Sequence, residues 1–272
     1  MSVAMDTYPA AYGRDPRRLF EVTDHVLAIL ERGGADLSQL GVPAQPEPED
    51  GLWEDVSVPR ARALKNIWIN SMEDAAHNEY LRWRLDDLAP EQKPKVLRGW
   101  LDSLIEAKKA KGRPAVLQFI VPGNVGSGKT TALAALGNEA SERGLHTLFI
   151  KHATYLTLRR PSGGPEDMSA YRVRKKFVEA DLLILDEFCG EMDGVATEFA
   201  RRETIDLVDS RLAAGRPTAY STNLRSRATR EFPAPGIADI LGERLLSRLE
   251  SRAHLEKIQG PDRRKPKKAL DW

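Results

Sequence analysis

Cysteine is almost absent from this 272-residue chain, where Cys189 stands alone. One thiol closes no internal disulfide and builds no cysteine zinc site, which excludes a stapled secreted scaffold and a zinc-ribbon domain. No apolar run approaches the roughly 20 residues of a membrane span. The opening "MSVAMDTYPAAYGRDP" also lacks the apolar stretch of a signal peptide. The expectation is a cytosolic protein with no membrane contact. Net charge is scarce too, with 41 Lys and Arg against 40 Asp and Glu for a formal +1. No global field draws such a chain to nucleic acid, so any contact must come from a local patch.

What is present suits a globular protein: 41% hydrophobic and 30% charged residues. Residues 1–112 read as helical. "DPRRLFEVTDHVLAILERGG" starts with Asp15 as N-cap and Pro16 at the first helical position, and Gly33 ends it. "VPAQPEPEDG" (42–51) is a proline-rich acidic linker. Pro59 opens a second helical stretch to about Leu88. Pro94 opens a third, with Leu97, Leu101, Leu104 and Lys108 on one face and Gly112 as its stop. After Arg113 the pattern changes. "AVLQFIV", "LHTLFIK", "DLLILDE" and "RPTAYSTN" read as strands, "HLEKI" as a candidate fifth, with helices between them. Strands that are apolar nearly throughout and alternate with helices predict an α/β fold, a parallel sheet covered on both faces. The expected division is a helical N-terminal domain over 1–112, a nucleotide domain over 113–260 and a basic tail over 261–272.

The chemistry begins at "FIVPGNVGSGKTTALAALG" (119–137). Gly123, Gly126, Gly128, Lys129 and Thr130 fit G-x-x-x-x-G-K-T between a strand and a helix, the pattern of a phosphate-binding loop. Glycines let successive N–H groups face phosphate oxygens, and the new helix adds the positive end of its dipole. The loop runs through Asn124, Val125 and Ser127 to Thr131. Lys129 is expected at the β- and γ-phosphates of ATP, and the Thr130 hydroxyl on Mg²⁺. "LLILDE" puts Asp186 at a strand's carboxyl end, where it can hold Mg²⁺ through its waters, and Glu187 beside it, where it can polarise an attacking water. Asn223 ends the next strand, within reach of the γ-phosphate and that water.

Residues 113 to about 258 resemble the DnaC/IstB group of AAA+ ATPases, the helicase loaders and transposition helpers. "GNVGSGKTT", "LLILDEFCGE", "RLAAGRPTAYSTNL" and "LGERLLSRL" carry the resemblance in matching order. It implies that Asn223 is a nucleotide sensor and that Arg248 is an arginine finger entering a neighbouring subunit's site, with Arg244 the reserve candidate. A homo-oligomer with shared ATP sites follows. A finger in trans contributes on the order of 10³ to 10⁵ in rate in phosphoryl-transfer enzymes.

The implied function is delivery of a replicative DnaB-type helicase onto single-stranded DNA. Recruitment of a transposase by an IstB-like helper is the alternative, and a small-molecule kinase lacks a visible lid or acceptor pocket. Four of the five tryptophans, Trp53, Trp68, Trp83 and Trp100, lie in the first hundred residues. They serve either the N-terminal domain's own core or a grip on the helicase. Single-stranded DNA would meet "YRVRKK" (171–176) and "LRSRATR" (224–230), with Tyr171 as a stacking aromatic.

Overall fold

Five short apolar runs form one sheet in the computed structural model, which describes residues 57–160, 169–190 and 196–263. The strands are β1 (Gln118–Pro122), β2 (Thr147–Lys151), β3 (Leu182–Asp186), β4 (Thr218–Thr222) and the brief β5 (Ala253–Leu255). All pair in parallel, in the order β2-β3-β4-β1-β5. The helices are α1 (Ser57–Asp74), α2 (Pro94–Lys109), α3 (Lys129–Glu142), α4 (His152–Arg159), α5 (Ala170–Glu179), α6 (Glu198–Ala213), α7 (Ile237–Leu241) and α8 (Glu243–Glu250). The expected helix at 15–33, the linker at 42–51, Trp53 and the tail beyond Arg263 lie outside the described residues.

β1 to β4 are buried almost throughout because both faces of the sheet are covered, and successive residues feed opposite cores. Phe119, Val121, Leu182, Ile184 and Ala219 join one cluster with Trp68, Leu101 and Leu133 of α1, α2 and α3. Ile120, Leu183, Leu185 and Tyr220 join the other, with Tyr155, Phe177, Leu207 and Leu245 of α4, α5, α6 and α8. Each buried Leu or Phe contributes roughly 1.5–3 kcal/mol relative to exposure. This is the doubly covered parallel sheet that the alternation predicts.

The domain boundary expected near residue 112 does not separate two bodies. The described residues, all within 57–263, belong to one compact unit. The change at Arg113 is one of secondary structure only, because α1 and α2 supply the layer that covers α3 and one face of the sheet. Polar groups stitch it in place: Trp68 Nε1 donates to Asn138 Oδ1 at 2.7 Å, and Asn138 Nδ2 donates to the carbonyls of Tyr80 and Trp83. The backbone N–H of Phe149 in β2 donates to Ser71 Oγ at 3.1 Å. Trp68 and Trp100 are buried in this core. They are not anchors for a partner, and the tryptophan argument for a separate helicase-binding domain over 1–112 fails at these two positions.

The helix expected to run to Leu88 stops at Asp74. His77 N–H reaches back to Met72 O and Ala76 N–H to Glu73 O, with Ala76 in the left-handed region at φ 55°. That is a Schellman stop, ordinarily signalled by glycine, and alanine hides it. Three short 3₁₀ turns follow, Asn78–Arg82, Leu85–Asp87 and Pro90–Gln92.

Candidate nucleotide site at the carboxyl end of the sheet

β1 ends at Pro122 and α3 begins at Lys129, so the intervening loop caps the sheet's carboxyl edge. Gly126 and Gly128 sit at φ 77° and 89°, a region that penalises any side chain. The turn therefore depends on glycine, and it aims the loop's amides and the start of α3 at one place. Lys129 is buried there. Its Nζ donates to Gly123 O at 3.0 Å, Asn124 O at 2.8 Å and Asn223 Oδ1 at 2.6 Å. One ammonium thus joins the phosphate loop to the end of β4.

Asp186, the last residue of β3, is fully buried. Thr130 Oγ1 donates toward its two oxygens, at 3.2 and 3.1 Å, and Ser221 Oγ donates to Oδ1. Burial pushes the Asp186 carboxyl above its ordinary value, against the lowering effect of the Ser221 and Thr130 bonds. Glu187 leaves the strand in the left-handed region at φ 52°. A non-glycine residue pays about 1–3 kcal/mol for such a backbone, and this kind of strain gathers at functional sites. Its N–H donates to Ser221 Oγ at 3.0 Å and its carboxylate pairs with Lys151 Nζ at 3.3 Å.

Val125, Lys129, Thr130, Glu187, Ser221 and Asn223 border a cavity of about 40 Å³. A larger cavity of about 1000 Å³ adjoins the other side of the loop, lined by Tyr80, Trp83, Gln92, Lys129, Thr131 and Asp262 among others. Gln92 Nε2 donates to Gly128 O at 3.0 Å, and the Arg263 N–H donates to Gly126 O at 3.0 Å. The chain before β1 and the chain after β5 thus wall the loop on that side.

Mg²⁺ fits the donor set. Thr130 Oγ1 and the Asp186 carboxylate are hard oxygens side by side, the ligand type this ion takes, and it characteristically retains several waters. Nearby, His77 Nε2 is buried without a hydrogen-bond partner among the described residues. No cluster of three His, Cys, Asp or Glu side chains suited to a metal occurs among them, so such an ion would lean on phosphate oxygens and water.

The expected residues Gly123 to Thr131, Asp186, Glu187 and Asn223 therefore meet at one edge. Arg248 does not join them. Its Nε pairs with Asp209 Oδ1 of α6 at 2.9 Å, and Arg244 lies 4.0 Å from the same carboxylate. Of the basic runs, Tyr171 is exposed, Arg174 is tied to Asp206 and Arg227 to Glu243. Sequence reasoning missed Ser221, Lys151, His77 and Gln92. Ser221 is one of four hydroxyl residues in β4, and nothing in the sequence singles it out.

No protein-family profile matches the chain, and no curated protein does. Its structure is similar to a crystal structure of DnaI, with a TM-score of 0.51 and 20% identity over 68% of this chain and 93% of that one. What the two share is the fold, a parallel sheet between helical layers. Similarity extends at TM-score 0.49 to the DnaC helicase loader, with 17% identity over 66% of this chain and 98% of that one. It extends at 0.48 to AMPPCP-bound DnaA from Aquifex aeolicus, with 19% identity over 65% and 50%. No helix among the described residues is long and apolar enough to cross a membrane.

Proposed function

We propose that this AAA+ protein hydrolyses ATP as a helicase loader does, using nucleotide state to control its hold on a replicative DnaB-type helicase at single-stranded DNA. The observation that carries the ATPase reading is the convergence of Lys129, Thr130, Glu187 and Asn223 on one small cavity at the end of the sheet. The ammonium and the amide face the place of a terminal phosphate, and the acid beside them can orient an attacking water.

The roles follow from position. Backbone amides of Gly126 to Thr130 hold phosphate oxygens. Lys129 exchanges its carbonyl partners at Gly123 and Asn124 for phosphate, and its bond to Asn223 keeps that amide beside the terminal group. Glu187 accepts a hydrogen bond from the attacking water and so polarises it. Thr130 would ligate Mg²⁺ and Asp186 would hold its waters; the ion supplies charge neutralisation on the phosphates. Arg248, half-exposed on α8, would complete the site of a neighbouring subunit in a homo-oligomer, with Arg244 the reserve. The helicase-loader half of the proposal is supported by the four sequence blocks and by the fold, and the helicase grip falls to residues before Ser57.

Calorimetry with MgATP tests the nucleotide site, and no measurable heat of binding would end the proposal. Lys129→Ala should weaken binding at least tenfold, the loss of a charge-assisted phosphate contact. Glu187→Gln should bind as the native chain does and turn over at least a hundredfold more slowly, on the scale of general-base contributions. Pull-down of a DnaB-type helicase in ATP and in ADP tests the loader half, and no capture in either state removes it.

A further inference from the structure

His77 occupies the position just past the Schellman stop of α1, where the left-handed Ala76 turns the chain back toward the sheet. Its ring is wedged edge-to-face between Tyr80 (centroids 5.2 Å apart) and Phe149 of β2 (5.3 Å). These contacts leave the imidazole little freedom to turn. Nδ1 lies 3.1 Å from the Ala76 carbonyl oxygen. A carbonyl only accepts, so the proton of a neutral ring sits on Nδ1 and Nε2 presents a lone pair.

That lone pair has no partner among the described residues, and it lies 4.0 Å from Asp186 Oδ2. The separation is beyond a hydrogen bond. With the ring neutral, two acceptors thus face one another across this gap. A group that donates twice would satisfy both, and a water bound to a divalent cation is such a group, since its lone pair is committed to the metal. Two acceptors 4.0 Å apart can share one water that donates to both from about 2.8 Å, once the closed packing around Nε2 gives way to admit it.

We infer that His77 is a positioning residue for the divalent cation of this site, its Nε2 accepting a hydrogen bond from a cation-bound water that Asp186 also holds. The inference rests on the magnesium-nucleotide reading above. It goes beyond that reading by bringing in a residue from the helical layer that precedes β1, outside every phosphate-loop motif. Outer-shell partners of this kind typically change metal affinity 10- to 100-fold.

The test is the affinity of a non-hydrolysable ATP analogue by calorimetry, in magnesium and in EDTA, for the native chain, His77→Phe and His77→Gln. Phenylalanine keeps a ring between Tyr80 and Phe149 and removes the acceptor; glutamine restores an acceptor. His77→Phe should lose about tenfold of the tightening that magnesium gives the native chain, with its EDTA affinity unchanged, and His77→Gln should recover most of it. Should the phenylalanine variant fail to fold, His77→Leu takes its place with the same expected outcome. An undiminished magnesium effect in the variant overturns the assignment. So does an equal loss with and without magnesium, which marks a wedge alone. A native chain that binds the analogue without any magnesium effect refutes the cation site itself, a different failure from that of His77.

Discussion

At the scale of single residues, the site is set by groups that make contacts no motif records. Ser221 accepts from the Glu187 N–H and donates to Asp186, so one hydroxyl fixes both acids. His152 props the turn that follows. Its Nδ1 accepts from the Cys189 N–H at 3.3 Å, and its ring packs against Phe188 with centroids 4.8 Å apart. Nε2 therefore carries the proton and donates to Thr204 Oγ1 at 2.9 Å. Burial pushes this imidazole down to about 3. The unfolded chain takes up the proton near 6.5, so between these values the unfolded state binds more protons and stability falls as pH falls. Urea midpoints measured from pH 7 to pH 5 should drop, with His152 contributing up to about 1.4 kcal/mol per pH unit below 6.5. His152→Gln should flatten that dependence, and a slope unchanged in the variant would assign the acid sensitivity elsewhere.

At the scale of elements, α1 belongs to the helical layer over the sheet, and the contact that shows it is steric. A Cβ built on Gly137 of α3 would come within 2.2 Å of the Trp68 ring. Alanine ordinarily stabilises a helix over glycine by about 1 kcal/mol. Here the rigid indole cannot yield, and overpacking of this kind costs about 1–3 kcal/mol. Gly137→Ala should lower stability in chemical denaturation, and in a Trp68→Leu background the same change should become neutral or stabilising. A stable Gly137→Ala single variant would deny the packing of α1 on α3. The helix ends divide in the same way by their chemistry. α3 and α6 stop beside Gly144 and Gly215, both at positive φ, and those ends were readable. α1 turns at Ala76, also at positive φ, where nothing in the residue type announces it, and α2 turns at Lys111, one residue before the glycine expected to stop it.

At the scale of the whole molecule, Arg248 and its own chain's phosphate loop do not meet. The guanidinium rests on Asp209, an exposed pair of the kind worth no more than about 1 kcal/mol, so a neighbouring subunit's phosphates would outbid it easily. Arg248→Ala should bind nucleotide normally and hydrolyse slowly. Mixed with Lys129→Ala, it should recover part of the activity, because one mixed interface then has an intact loop and an intact finger. Steady-state phosphate release across mixing ratios checks this, and a strictly additive result would exclude a finger in trans.

The sequence by itself determined the parallel sheet, the phosphate loop and the acidic pair. Each is local: apolar runs the length of one strand, glycines at a turn that needs positive φ, and carboxylates one step past a buried strand. Tertiary structure alone decided that residues 57–109 pack into the same core as the sheet, that Trp68 and Trp100 are buried, and that His77, Lys151 and Ser221 come to the site. Those facts depend on which surfaces meet across long separations, such as Trp68 against Gly137 and His77 against Asp186, and a one-dimensional pattern of residue types does not encode such pairings.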